Sequence, residues 1–223
     1  KMNFVAGEPL LHPLIFDVVR LAKSMGFVVS VVSNGYYLDK KKIFDLSPFV
    51  DWIGISVDSQ NEHVEKALGR GDGNHVKHII EIADFIHEAG IKLKINTTVT
   101  RLNWTENMQP LIRRLKPSRW KVFQVLYIQG QNDQHFSELS ITDDQFEYFK
   151  SINQEPLEGT TTVFEGNDAM LASYFMLSPG GMVMSNKDGA NRALIPLESV
   201  NQEKLSQVVD VDRYIQRGGN YSW

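Results

Sequence analysis

The 223-residue chain contains no cysteine. That absence removes disulfides, thiolate nucleophiles and sulfur-ligated metal centres from these residues, and a disulfide-free chain fits a cytoplasmic setting. An apolar run of membrane-spanning length and a signal-peptide pattern are also missing, so the sequence shows no membrane segment. Positive charge is not in excess either. Lys and Arg number 23 against 27 Asp and Glu, a formal charge of −4, which gives no basic field for nucleic acid. No internal repeat or low-complexity tract interrupts the chain. Apolar residues, at 42%, are ample for one core.

The elements alternate. Met2–Val5 is a short apolar run, and Leu14–Met25 has helical spacing with Gly26 as its stop. Phe27–Val32 and Trp52–Val57 read as buried strands around a short helix at Lys40–Leu46. A glycine-rich loop, Gly69-Arg70-Gly71-Asp72-Gly73, leads into an amphipathic helix at Asn74–Ala89. Strands at Lys92–Val99 and Trp120–Ile128 then flank a helix at Asn107–Leu115. Five strands alternating with helices predict a parallel sheet with right-handed crossovers. Beyond Gly130 the rhythm breaks. A helix is expected at Thr142–Ile152 with Thr142 as cap, short strands within 159–195 around a Pro179-Gly180-Gly181 turn, and one terminal helix at Ser206–Arg217. Residues 1–130 thus form an α/β core and residues 131–223 an extension of the same domain. The chain opens directly in an apolar run, which leads to the expectation that further residues precede Lys1.

Polar residues at strand ends and along one strand face carry the chemistry. Ala6-Gly7-Glu8-Pro9 puts bare backbone and a carboxylate at the carboxyl end of a strand, where α/β folds bind ligands. By itself it equally describes a plain strand-to-loop turn with one exposed glutamate. Period-two alternation places Lys94 and Asn96 on one face, and Arg119 and Lys121 on one face of the next strand. Buried without partners these cations are costly. They meet acids, an anionic ligand such as a polyphosphate, or, facing outward, water; no matching row of acids is visible. Arg70 suits carboxylate or phosphate capture but also describes an exposed loop. Asp58 ends a strand and suits capping or a ribose hydroxyl. Tyr174 fits a core position. His75 and His78, one helical turn apart, read as a solvated face.

Together these motifs resemble a known family. Ala6-Gly7-Glu8-Pro9 is similar to the Gly-Gly-Glu-Pro motif of radical S-adenosylmethionine (SAM) enzymes, with one glycine replaced by alanine. Ser33-Asn34-Gly35, Ile55–Ser59, Gly69-Arg70-Gly71, Lys94-Ile95-Asn96, Arg119–Gln124 and the ending Arg217–Trp223 resemble the viperins over nearly the whole chain. The resemblance implies a partial (β/α)6 barrel, here without its first strand, carrying a C-terminal extension of short strands and a helix. It implies a 4Fe–4S cluster, SAM, an electron donor and a nucleoside triphosphate (CTP, UTP or GTP) whose ribose loses its 4′-hydrogen to a 5′-deoxyadenosyl radical. The product would be a 3′-deoxy-3′,4′-didehydro nucleotide, an antiviral chain terminator. Carried over, Gly7, Glu8, Ser33, Asn34, Ser56 and Arg70 would hold SAM. Lys94, Asn96, Arg119, Lys121 and Lys187 would bind the triphosphate, and Tyr174 would donate a hydrogen atom. The expected state is a cytoplasmic monomer. The family's CxxxCxxC cluster loop is absent from these residues and is expected upstream of Lys1. A cluster-less nucleotide-binding protein and a radical SAM enzyme of another substrate, such as a peptide, are the competing readings.

Overall fold

The computed structural model describes residues 1–219 apart from Ala6, Gln131, His135 and the side chain of Ser206. The alanine of the Ala6–Pro9 motif and the Asn220–Trp223 end of the terminal motif therefore lie outside the described residues.

Six parallel strands form one sheet in chain order: β1 (Met2–Phe4), β2 (Val29–Ser33), β3 (Trp52–Ser56), β4 (Lys92–Val99), β5 (Arg119–Gln124) and β6 (Thr161–Glu165). Helices α1 (Ile15–Ser24), α2 (Lys40–Leu46), α3 (Glu62–Ala67), α4 (His75–Glu88), α5 (Gln109–Leu115), α6 (Phe136–Leu139) and α7 (Asp143–Asn153) lie between them. The α/β reading holds, with one strand more than the five read from periodicity. Strand β6, Thr-Thr-Val-Phe-Glu, lies beyond residue 130 in the stretch read as extension and pairs with β5 from Arg119↔Thr161 to Phe123↔Glu165. A short strand was expected within 159–195, but not as a member of the parallel sheet, because an edge strand covered on one side carries mixed polarity and no continuous apolar run.

One sheet face is the core. Val29, Val31, Ile53, Ile55, Leu93, Ile95, Trp120 and Val122 are all buried there under the helices. Helix α4 delivers Val76, Ile79, Ile82, Ala83 and Ile86, the spacing of a single helical stripe. Each Val or Ile side chain contributes about 1.5–3 kcal/mol when fully buried. Gly35, at φ +85°, lies against this stripe: a Cβ there would stand 2.6 Å from Ile79 Cδ1. The cap at Thr142 is a full capping box with Gln145.

The extension continues with α8 (Asn167–Met170) and an antiparallel sheet of β7 (Met176–Leu177), β8 (Met182–Ser185) and β9 (Arg192–Pro196). The β7–β8 connection holds the Pro179-Gly180-Gly181 turn, as expected. In place of one terminal helix there are two, α9 (Gln202–Val208) and α10 (Val211–Gln216), because Asp210 caps a new helix by accepting the Arg213 N–H at 3.0 Å. Among the described residues, no helix is long and apolar enough to cross a membrane.

Candidate functional site: an anion pocket beside a tethered carboxylate

The strand register lines polar residues across the sheet face opposite the core. Gly54, Lys94, Arg119 and Thr161 form one row; Ser56, Asn96, Lys121 and Val163 form the next. Lys94 shares a face with Asn96 on β4, and Arg119 with Lys121 on β5, as expected, and the register sets the two pairs side by side. The alternative, that they face outward into water, is not: Lys94, Arg119 and Lys121 are 6%, 3% and 7% exposed.

These cations are not equivalent. Lys121 forms an ion pair with Glu165, the fully buried last residue of β6. Arg119 donates to the Gly218 carbonyl at 2.7 Å, which docks the C-terminal segment onto β5. Lys94 has neither hydrogen bond nor ion pair among the described residues. Burial first, then the charges of Lys121, Lys1 and Arg119, push its pKa down to about 7. Burial likewise lowers Lys1 to about 7, and Lys121 to about 8 despite Glu165. Glu165 offsets this only in part, so the charge of Lys94 is poorly balanced within the protein.

Gly54 makes room for this arrangement. A Cβ there would stand 2.9 Å from Lys94 Cε and 3.0 Å from Val32 Cγ2. Gly54→Ala is expected to cost about 1–3 kcal/mol by overpacking and to weaken binding of inorganic tripolyphosphate. Denaturant titration and calorimetry would check both; unchanged affinity would show that Lys94 does not need that space.

At the carboxyl ends of β1 and β2 the Glu8 carboxylate is tethered. Its Oε1 accepts from Ser33 Oγ at 2.9 Å and the Leu10 N–H at 3.2 Å, and its Oε2 accepts from the Asn34 N–H at 2.9 Å. Gly7 precedes it at φ +55°. Glu8, Ser33 and Asn34 are thus brought together as expected. Ser56 neighbours Asn96 in register, and the buried Asn96 Oδ1 has no hydrogen-bond partner.

Two expectations are corrected here. Asp58 does not await a ribose: it is buried, pairs with Arg70 Nε and accepts the Thr98 N–H at 2.7 Å. His75 and His78 are not a solvated face. Burial lowers the His75 pKa, its Nε2 meets the Ser56 carbonyl at 3.1 Å and Glu65 Oε2 at 3.3 Å, and His78 Nε2 meets the Gly35 carbonyl at 3.0 Å. Among the described residues, Arg70 meets Asp58 through Nε, and its terminal nitrogens make no hydrogen bond. Lys187 sits exposed on the turn after β8, its side chain making no hydrogen bond or ion pair in the described structure.

Sequence reading missed Glu165, Arg217 and Glu65 as members of these networks. The Tyr174 hydroxyl donates to Glu165 Oε2 at 2.6 Å, and the Arg217 guanidinium stacks 3.8 Å from the Tyr174 ring. Burial, then Glu165, raises the Tyr174 pKa well above the usual phenol range, keeping it protonated. Nothing local in the sequence pairs residues 121, 165, 174 and 217; the only available signal was the need of the buried cations for an acid.

Residues 1–115 match the model of the Radical SAM superfamily. The chain is 38% identical over 223 residues to an S-adenosylmethionine-dependent nucleotide dehydratase of Thermoplasmatales archaeon (strain ISO4-H5), spanning all of this chain and 79% of that one. The chain belongs to this viperin family of the radical SAM superfamily. A protein of the same name from Lacinutrix mariniflava is 34% identical over 229 residues; the chain spans 48% of it, just under half. The solved structure titled native anSMEcpe with bound AdoMet matches with a TM-score of 0.63 at 15% identity, over 96% of this chain and 67% of that one, a likeness of fold.

Radical SAM enzymes use SAM and a 4Fe–4S cluster. The tethered Glu8 carboxylate and the outer end of the Arg70 guanidinium fit an amino-acid-bearing nucleoside such as SAM. These residues hold no cysteine, so none of them fits the cluster.

Proposed function

We propose that this viperin-family protein converts a nucleoside triphosphate to its 3′-deoxy-3′,4′-didehydro analogue, an antiviral chain terminator, with SAM as cosubstrate. Lys94 carries the reading. It is a buried cation with no hydrogen bond or ion pair among the described residues, in register with Arg119 and beside the row of Asn96 and Lys121, and a polyphosphate would supply the counter-charge.

The chain's own residues bind and orient. Glu8, held by Ser33 and Asn34, receives the SAM ammonium; Arg70, braced by Asp58, receives its carboxylate; Gly7 and Ser56 line the same end. Lys94, Asn96, Arg119 and Lys121 take the triphosphate, with Lys187 closing over it from the extension. This fixes the ribose beside Tyr174, whose protonated phenol stands ready as hydrogen donor. When bound, SAM supplies the hydrogen-abstracting radical; the protein supplies geometry and charge. We place the enzyme in the cytoplasm as a monomer served by a separate electron donor. The base, CTP, UTP or GTP, is a matter for assay.

Anaerobic incubation of the full-length, cluster-reconstituted protein with SAM, dithionite and each of the four triphosphates tests this. The expected result is 5′-deoxyadenosine formation that depends on one triphosphate. Formation indifferent to added nucleotide would overturn the reading.

A further inference from the structure

Glu165 is out of place if the pocket serves affinity alone. It is 0% exposed, lies in register with Phe123 and sets a carboxylate beside the cations proposed to meet a polyanion. By Coulomb's law a carboxylate there opposes a triphosphate. Its contacts point elsewhere. One oxygen is ion-paired with Lys121 on β5 and stands 3.7 Å from Arg217 NH1; the other accepts the Tyr174 hydroxyl at 2.6 Å. Lys121 Nζ lies 3.5 Å from the same hydroxyl. Arg217 brackets the tyrosine from its other side, stacking 3.8 Å from the ring and donating through Nε and NH2 to the Ser173 carbonyl at 3.1 and 2.9 Å.

We infer that Glu165 is a positioning residue, which fixes the Tyr174 hydroxyl and the Lys121 ammonium relative to a bound nucleotide at the expense of nucleotide affinity. It joins three parts of the chain distant in sequence: the barrel strand with Lys121, the segment with Tyr174 and the C-terminal Arg217. The phenol has one proton, and the structure gives it to Glu165. A carboxylate acceptor therefore sets the rotation of that hydroxyl, and a neutral amide, which can donate as well as accept, does not. The inference rests on the nucleotide reading above, and it makes affinity and turnover respond in opposite directions.

The test is Glu165→Gln in the full-length reconstituted enzyme, with triphosphate affinity measured by calorimetry and turnover measured separately. Removing the charge is expected to make triphosphate binding about 3–10-fold tighter, while kcat falls at least about tenfold; an unchanged dissociation constant would overturn the claimed cost in affinity. Glu165→Asp keeps the charge but shortens the reach, so parental affinity with reduced turnover is expected, and this variant decides if the glutamine form does not fold. In a Tyr174→Phe background, Glu165→Gln is expected to cost little further turnover, because residues acting through one another are non-additive. Turnover within about twofold of the parent overturns the role. So does affinity lost in step with melting temperature, or fully multiplicative losses with Tyr174→Phe, since these describe a merely structural carboxylate. A parent enzyme that binds no triphosphate at all would instead defeat the nucleotide reading.

Discussion

Replacing Lys94 with methionine is expected to raise the melting temperature of the ligand-free protein while weakening its hold on a triphosphate at least about tenfold. The two effects share one cause. Lys94 is buried among cations, and its pKa falls from 10.5 to about 7. At about 1.4 kcal/mol per unit, charging it in the folded state costs several kcal/mol below pH 7. Methionine has similar length and no charge, so the ligand-free fold should gain roughly 2 kcal/mol, or about 4–8 °C at this chain length. The pH dependence has a definite sign. Between about pH 7 and 10.5 the unfolded chain holds a proton on this lysine that the folded chain has released, so stability rises with pH across that window. Lys1 and Lys121, also lowered, act in the same direction. Triphosphate binding, which needs the charged lysines, tightens in the opposite direction, as pH falls. Thermal melts from pH 6 to 10 with and without tripolyphosphate would check both trends. A methionine variant that is less stable, or that binds triphosphate like its parent, would remove Lys94 from the anion site.

Glu65→Leu is expected to be among the most destabilising changes in the chain, at about 2–4 kcal/mol. Glu65 is fully buried on α3, and its Oε1 accepts the N–H groups of Asp58 and Ser59 at 2.8 and 2.5 Å. Its own carbonyl accepts the Arg70 N–H at 2.8 Å, so one residue joins the end of β3 to the arginine loop. Leucine leaves two buried donors unpaired at about 1–3 kcal/mol each. Burial, then the charge of Asp58, pushes the Glu65 pKa up to about 8, so the side chain is largely neutral at pH 7. Glutamine should therefore replace it with little loss. Here the linkage runs the other way: between pH 4.5 and about 8 the folded chain retains a proton that the unfolded chain has lost, and stability falls as pH rises. The glutamine variant should lack that fall. Denaturant midpoints at pH 5 and 8 decide the matter. A leucine variant within about 1 kcal/mol of the parent would show that the two N–H groups find other acceptors.

Much of this was legible before any coordinates. Strand periodicity alone placed Lys94 with Asn96 on one face of their strand and Arg119 with Lys121 on one face of the next, because successive strand side chains point to opposite sides. Capping chemistry at Thr142 and the turn at Pro179-Gly180-Gly181 were equally local and equally readable. The errors arose where a residue's state depends on distant partners. His75 and His78 looked solvated on a charged helix, yet each faces a backbone carbonyl from another βα unit. The six-residue α3, too short for a clear stripe, went unread, and with it Glu65.

What the sequence by itself determined is the alternation of elements, the polar face of the sheet, the Glu8 turn and the family. Each follows from interactions within a few residues or from motifs read in order. Only the tertiary structure decided how the charges are balanced. It set Glu165 against Lys121 rather than solvent, Asp58 against Arg70 rather than a ribose, and Arg217 over Tyr174, and it gave Lys94 no ion pair among the described residues. Burial and pairing are relations between segments up to 99 residues apart, as for Arg119 and Gly218, and no local pattern encodes them. They determine how far the charge of each cation in this row is balanced.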